Sequence, residues 1–200
     1  MKIRIILPGA VLFTLLYLSS CSNPPVPKPR GYFRIDLPKH EYRLLDSIYP
    51  YRFELPVYAR ISPDKHAPGE INWINIEFPR FKGRLHLSYK PVNQNLSTFT
   101  EDAHSLVMKH IPKASAIEEV TIQNPANHVY GLVYDIKGAG AASAYQFYVT
   151  DSSAHFLRGA LYFDALPNND SLAPVIDFIK SDIQHMLETL SWKQGRGPMM

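Results

Sequence analysis

A single cysteine, Cys21, in 200 residues leaves no partner for an intrachain disulfide, so packing alone must hold the fold. Long apolar runs are missing too. Ile5 to Leu18 is mostly apolar, but it falls short of the ~20 residues that span a bilayer as a helix. There is no dense Lys/Arg run. The formal charge is +3, and removal of a leader carrying Lys2 and Arg4 leaves +1, so no nucleic-acid partner is expected. Signatures of chemistry are absent as well. The sequence has no His-Glu-x-x-His and no Gly-x-Ser-x-Gly, and a lipidated Cys21 would leave no thiol nucleophile. Gly138-Ala139-Gly140 joins strand to strand, which makes it a hairpin tip and not a dinucleotide loop. The eight histidines are scattered. His104 and His110 face different ways on one helix, and His86, His128 and His155 lie on or beside strands. No metal site, cofactor, small-molecule substrate or catalytic residue is read from this pattern, and the expectation is a protein that is not an enzyme.

What is present begins at the N-terminus. Lys2 and Arg4 form a short positive region, and the apolar stretch has the length of a signal-peptide h-region. It ends in Leu18-Ser19-Ser20-Cys21, which resembles the lipobox cut by the lipoprotein signal peptidase. Residues 1–20 are therefore expected to be removed, and Cys21 to carry lipid that anchors the chain to a bilayer. Pro24, Pro25, Pro27 and Pro29 follow, a composition that favours extended polyproline II. Residues 21–30 read as a semi-rigid tether of ~28 Å. Ser22-Asn23-Pro24-Pro25 carries no acid, whereas surface-exported lipoproteins can carry an acidic patch just after the cysteine, so an outer-membrane lipoprotein facing the periplasm is expected.

The run Lys28-Pro29-Arg30-Gly31-Tyr32-Phe33-Arg34-Ile35-Asp36-Leu37-Pro38 resembles the opening of the gliding-motility lipoprotein GldD family of the Bacteroidetes. Tyr42, Tyr51-Arg52-Phe53-Glu54-Leu55-Pro56, Ile71-Asn72-Trp73 and Leu85-His86-Leu87-Ser88-Tyr89 extend the likeness over most of the chain. The resemblance implies membership of the envelope machinery for gliding and the associated type IX secretion system, with other envelope proteins as partners. It implies no reaction. Physically, the run alternates: Tyr32, Arg34 and Asp36 fall on one side of an extended segment, and Phe33, Ile35 and Leu37 on the other. The segment can finish the domain's own sheet as an edge strand. It can also present Arg30, Tyr32, Phe33, Arg34 and Asp36 to a partner.

The 12 Tyr and 10 Phe predict an aromatic core in a single domain over residues 31–192, followed by a flexible tail over 193–200. Strands are expected at Tyr51–Leu55, Ile71–Phe78, Arg84–Tyr89, Glu119–Gln123, His128–Lys137, Ser143–Asp151 and His155–Asp164. A first helix is expected from Ser97, as N-cap, to Pro112, with Thr100-Glu101-Asp102 in its opening turn. A second is expected over Leu172–Ser191, capped by Asp170 or Ser171, with Pro174 in its first turn. Its buried stripe is Val175, Ile176, Ile179, Ile183, Met186, Leu187 and Leu190. The order predicts an α+β fold: a mostly antiparallel sheet packed with helices, similar to the PsbP/Mog1-type αβα sandwich. On composition alone, a periplasmic module that binds a small molecule or lipid in an aromatic pocket is the alternative function.

Overall fold

The computed structural model describes residues 34–164 and 168–193. The expected leader, Cys21, the tether, Arg30, Tyr32, Phe33 and the tail after Lys193 lie outside the described residues.

Among the described residues the chain forms ten strands and two α-helices, all paired strands being antiparallel. Strands β1 (Tyr42–Leu45), β2 (Tyr51–Pro56), β3 (Arg60–Pro63), β4 (Ile74–Phe78) and β5 (Gly83–Pro91) precede helix α1 (Leu96–Met108). Then come β6 (Ala116–Asn124), β7 (Val129–Lys137), β8 (Ser143–Thr150), β9 (His155–Phe163), helix α2 (Asn169–Thr189) and β10 (Ser191–Trp192). The main sheet has the order β3-β4-β5-β9-β8-β7-β6, and a small sheet has the order β1-β2-β10. The α+β expectation is met.

Alternation decides the register of the main sheet. In β5, Gly83, Leu85, Leu87 and Tyr89 are buried on the face toward α2, while Arg84, His86, Ser88 and Lys90 take the other face and are less buried. The whole predicted stripe of α2 is buried and meets Leu85, Leu87, Phe147, Val149, Leu157 and Leu161, apart from Ile176, which is buried outside that cluster. Strand β2 closes this core with Tyr51, Phe53 and Leu55, all fully buried; Tyr49, Tyr51 and Phe53 stack at 5.6 and 5.8 Å between successive rings. On the opposite face α1 covers a smaller cluster of Val107, Tyr134, Ile136 and Ala141.

Several boundaries differ from expectation. Arg34 to Glu41 forms no strand, so the edge-strand reading fails for its described part. Helix α1 starts at Leu96 with Asn95 before it; Ser97 lies inside the helix, and no acid falls in its first turn. The Asn95 side chain instead accepts the Asn93 N–H at 2.8 Å. Helix α2 starts earlier, at Asn169, with Asn168 as cap accepting from the Ser171 N–H, which places Pro174 inside the helix. Strand β4 starts at Ile74 because the Trp73 backbone N–H turns back to the Glu70 carbonyl at 2.9 Å; the Tyr51 hydroxyl donates to the Asn72 carbonyl at 2.9 Å, and the Trp73 indole N–H to the Tyr89 carbonyl at 2.6 Å.

Gly131 marks the closest approach within the main sheet. A Cβ placed there would lie 1.9 Å from the Tyr148 carbonyl oxygen, which is backbone and cannot swing away. Gly131→Ala should lower unfolding free energy by about 1–3 kcal/mol, read as a lower urea midpoint. Gly69→Ala, where nothing lies within 4 Å, should leave the midpoint unchanged.

Candidate functional site

The described part of the predicted partner-binding segment runs along the domain surface. Arg34 and Asp36 form an ion pair at 3.6 Å, with side chains 92% and 77% exposed. Ile35 packs against the core cluster, but Leu37, expected on the same side, is exposed, so the predicted alternation holds only at Ile35 among the described residues. At such exposure the pair contributes little to stability. Its side chains stay available to another surface.

Six residues after Arg34 the segment is fastened. Asp182, on α2, is 1% exposed, yet three donors surround it. The His40 ring N–H donates to Oδ1 at 2.7 Å, the Tyr42 hydroxyl to Oδ1 at 3.0 Å, and the Tyr58 hydroxyl to Oδ2. The local sequence explains the convergence. His40 and Tyr42 have their Cβ atoms on the same side of an extended chain entering β1, and Tyr58 follows β2, which packs across α2. The rings are packed as well: His40 lies 4.3 Å from Phe178, and Tyr42 stacks on His185 at 3.7 Å. The His185 ring meets Glu54 at 2.7 Å. Burial first, and then the Asp182 hydrogen bond and charge, push the Tyr42 hydroxyl up to about 12 and the Tyr58 hydroxyl upward as well. Both phenols are thus held as neutral donors, which satisfies a carboxylate that would otherwise be costly to bury.

An Asp-oriented histidine can act as a base, but a nucleophile must reach it. Among the described residues, no Ser, Thr or Cys side chain hydrogen-bonds to the His40 ring; its contacts are Asp182 and the Tyr42 hydroxyl. The hydrogen bonds to Asp182 form a latch that ties the incoming segment to the C-terminal helix.

The other histidines are engaged separately. His155 stacks on Trp192 at 5.0 Å and bonds to the Tyr89 hydroxyl at 2.8 Å. His86 meets Tyr162 edge-on, and the His128 carbonyl accepts the Trp192 indole N–H at 3.0 Å. Among the described residues no group of three His, Cys, Asp or Glu side chains is arranged to hold a metal ion. No helix among them is long and apolar enough to cross a membrane. A cleft of about 670 Å³ lies between edge strand β6 and α2, floored by Val120, Ile122 and Leu187 and closed at one end by the Asp135–Lys180 ion pair at 2.6 Å.

Sequence reasoning expected Arg34 and Asp36 to face outward, as both do, and missed the latch. The available signal was Asp182 itself, an acid lying on the apolar stripe of α2 between Ile179 and Met186.

No curated protein matches the chain. Among solved structures it is similar to the solution structure of cyanobacterial PsbP from Synechocystis sp. PCC 6803, with a TM-score of 0.46 and 9% identity, covering 80% of this chain and 97% of that one. The family model described as gliding motility lipoprotein GldD matches residues 22–192, nearly all that follows the predicted lipidation site, and the chain belongs to that family.

Proposed function

We propose that this protein is a lipid-anchored envelope component that helps to assemble or stabilise the gliding machinery and the associated type IX secretion system, without catalysing a reaction. The observation that carries the reading is the arrangement at the N-terminal edge. A segment bearing the exposed Arg34–Asp36 pair is held to the domain by the Asp182 latch, so its charged side chains are displayed at a fixed place. Arg30, Tyr32 and Phe33 are proposed as contacts of the same partner, and Cys21 as the anchor, on the periplasmic face of the outer membrane.

The test is a clean deletion scored for spreading on agar and for secretion of a type IX cargo. Loss of both, restored by the wild-type gene and not by a variant carrying Arg30→Glu, Arg34→Glu and Asp36→Lys, supports the reading. Normal spreading and secretion in the deletion strain would overturn it.

A further inference from the structure

The two faces of the main sheet differ in kind. The face toward α2 is apolar in β4, β5, β8 and β9, whereas the opposite face is only partly covered by α1 and carries polar groups that are neither fully exposed nor fully paired. There, β9 places Arg158 opposite Ser88 of β5 and Tyr148 of β8. A cleft of about 470 Å³ opens beside it, under α1. Its apolar wall is Trp73, Phe99, Leu106 and Phe156, and its cations are Lys90, Lys109 and Arg158, against the single acid Asp102.

The Arg158 guanidinium is built in. Its Nη2 donates to Gln146 Oε1 at 2.5 Å, and the Gln146 amide N–H in turn donates to His110 Nε2 at 2.9 Å. Gln146 is 1% exposed, so this second layer is rigid. Burial pushes the His110 ring below the usual range, which keeps it a neutral acceptor. Among the described residues Arg158 forms no ion pair; the group that eases its burial is the Tyr162 phenol and not a carboxylate. Lys90 is similar. Its Nζ lies 4.7 Å over the Phe99 ring, and it too forms no ion pair among the described residues. A half-buried cation without an anion is a standing cost, and a guanidinium held by a fixed second layer is prepared to grip a carboxylate or phosphate with its free N–H groups. The aromatic wall beside it suits an apolar body and not a bare inorganic ion.

We propose that this cleft binds a small organic anion, a carboxylate or phosphate on an aryl or alkyl body, with the anionic head on Arg158 and Lys90 and the body against Trp73, Phe99 and Phe156. The site is independent of the assembly role and lies on the opposite sheet face from the Asp182 latch.

Calorimetry on the full mature chain tests it, with phenyl phosphate, dodecyl phosphate below its micellar concentration, inorganic phosphate and neutral dodecyl maltoside as titrants. Saturable binding of the two phosphate esters is expected, tighter than that of inorganic phosphate and of the maltoside. Arg158→Gln should weaken it by about tenfold or more, and Lys90→Gln by a smaller factor. Lys65→Gln, on an exposed loop, should change nothing. If Arg158→Gln does not fold, Ser105→Trp, which fills the cleft from the exposed side of α1, should abolish binding. Vesicles separate the sources, with the chain carrying Cys21→Ala so that no acyl chain inserts: Arg158-dependent binding to phosphatidylglycerol but not phosphatidylcholine vesicles identifies a lipid headgroup, and binding of the free esters alone identifies a soluble anion. Absence of saturable ester binding, equal affinity for the maltoside, or undiminished ester binding in a folded Arg158→Gln or Ser105→Trp variant would overturn the proposal.

Discussion

Asp182→Ala should lower unfolding free energy by about 3–5 kcal/mol, since each buried donor left without an acceptor costs about 1–3 kcal/mol. Three donors lose their acceptor at once: the His40 ring N–H and the hydroxyls of Tyr42 and Tyr58. Of these, Tyr58 lies packed among Phe78, Phe81 and Phe178, where water cannot readily replace the carboxylate. Asp182→Asn keeps the shape and one acceptor, and should cost about 1–3 kcal/mol. The two variants also differ from wild type in alkali. A phenol whose folded-state value is raised above its unfolded value near 10 stabilises the fold fully below that pH. The stabilisation disappears as pH rises through the folded value, which for Tyr42 is about 12. Wild-type stability should therefore fall between pH 10 and 12. In Asp182→Asn the fall should be shallower, because burial still raises both phenols but the carboxylate no longer does. Urea midpoints across that range read both effects. An Asp182→Ala midpoint equal to wild type would show that the latch contributes nothing.

Cys21→Ala should move essentially all of the protein from the membrane fraction to the soluble fraction. Two or three acyl chains at ~0.8 kcal/mol per buried CH₂ exceed any other membrane contact visible in the chain. The described domain offers no spanning helix to compensate. Its urea midpoint should be unchanged, since no described contact involves the anchor. Fractionation with membranes and full complementation by Cys21→Ala would sink the anchoring claim.

The long elements were legible because their patterns are local. Strands β7, β8 and β9 start or stop within a residue of expectation, since each alternates side chains over eight or nine positions between Gly, Asp and Ser turns. The stripe of α2 was legible for the same reason. The short strands were not. Strands β1, β3 and β10 have four, four and two residues, too few to show an alternation, and β10 also depends on a partner far along the chain, Trp192 lying opposite Tyr51. Ile71 to Trp73 has the composition of a strand, but the Trp73 backbone N–H closes a turn onto the Glu70 carbonyl, and Ile71 stands 75% exposed. The exposed half of the candidate site, Arg34 and Asp36, was visible in the alternation of its segment. The buried half was not, because Asp182, His40 and Tyr58 meet only after β2 crosses the helix. Tertiary convergence of that kind leaves a single local trace, an acid on an apolar face.

Strand β2 sits between β1 and β10, and Arg52 bonds to Ser191 across 139 positions of sequence. The N-terminal core strand is thus completed by nearly the last described residues. Such a chain has few ways to lock itself early, since Tyr51, Phe53 and Leu55 lack their cover until α2 and β10 arrive. With the expected leader over residues 1–20 directing the chain across the inner membrane, late closure would keep it pliable until translocation is nearly over. The fold itself then sets the timing, with export first and compaction after.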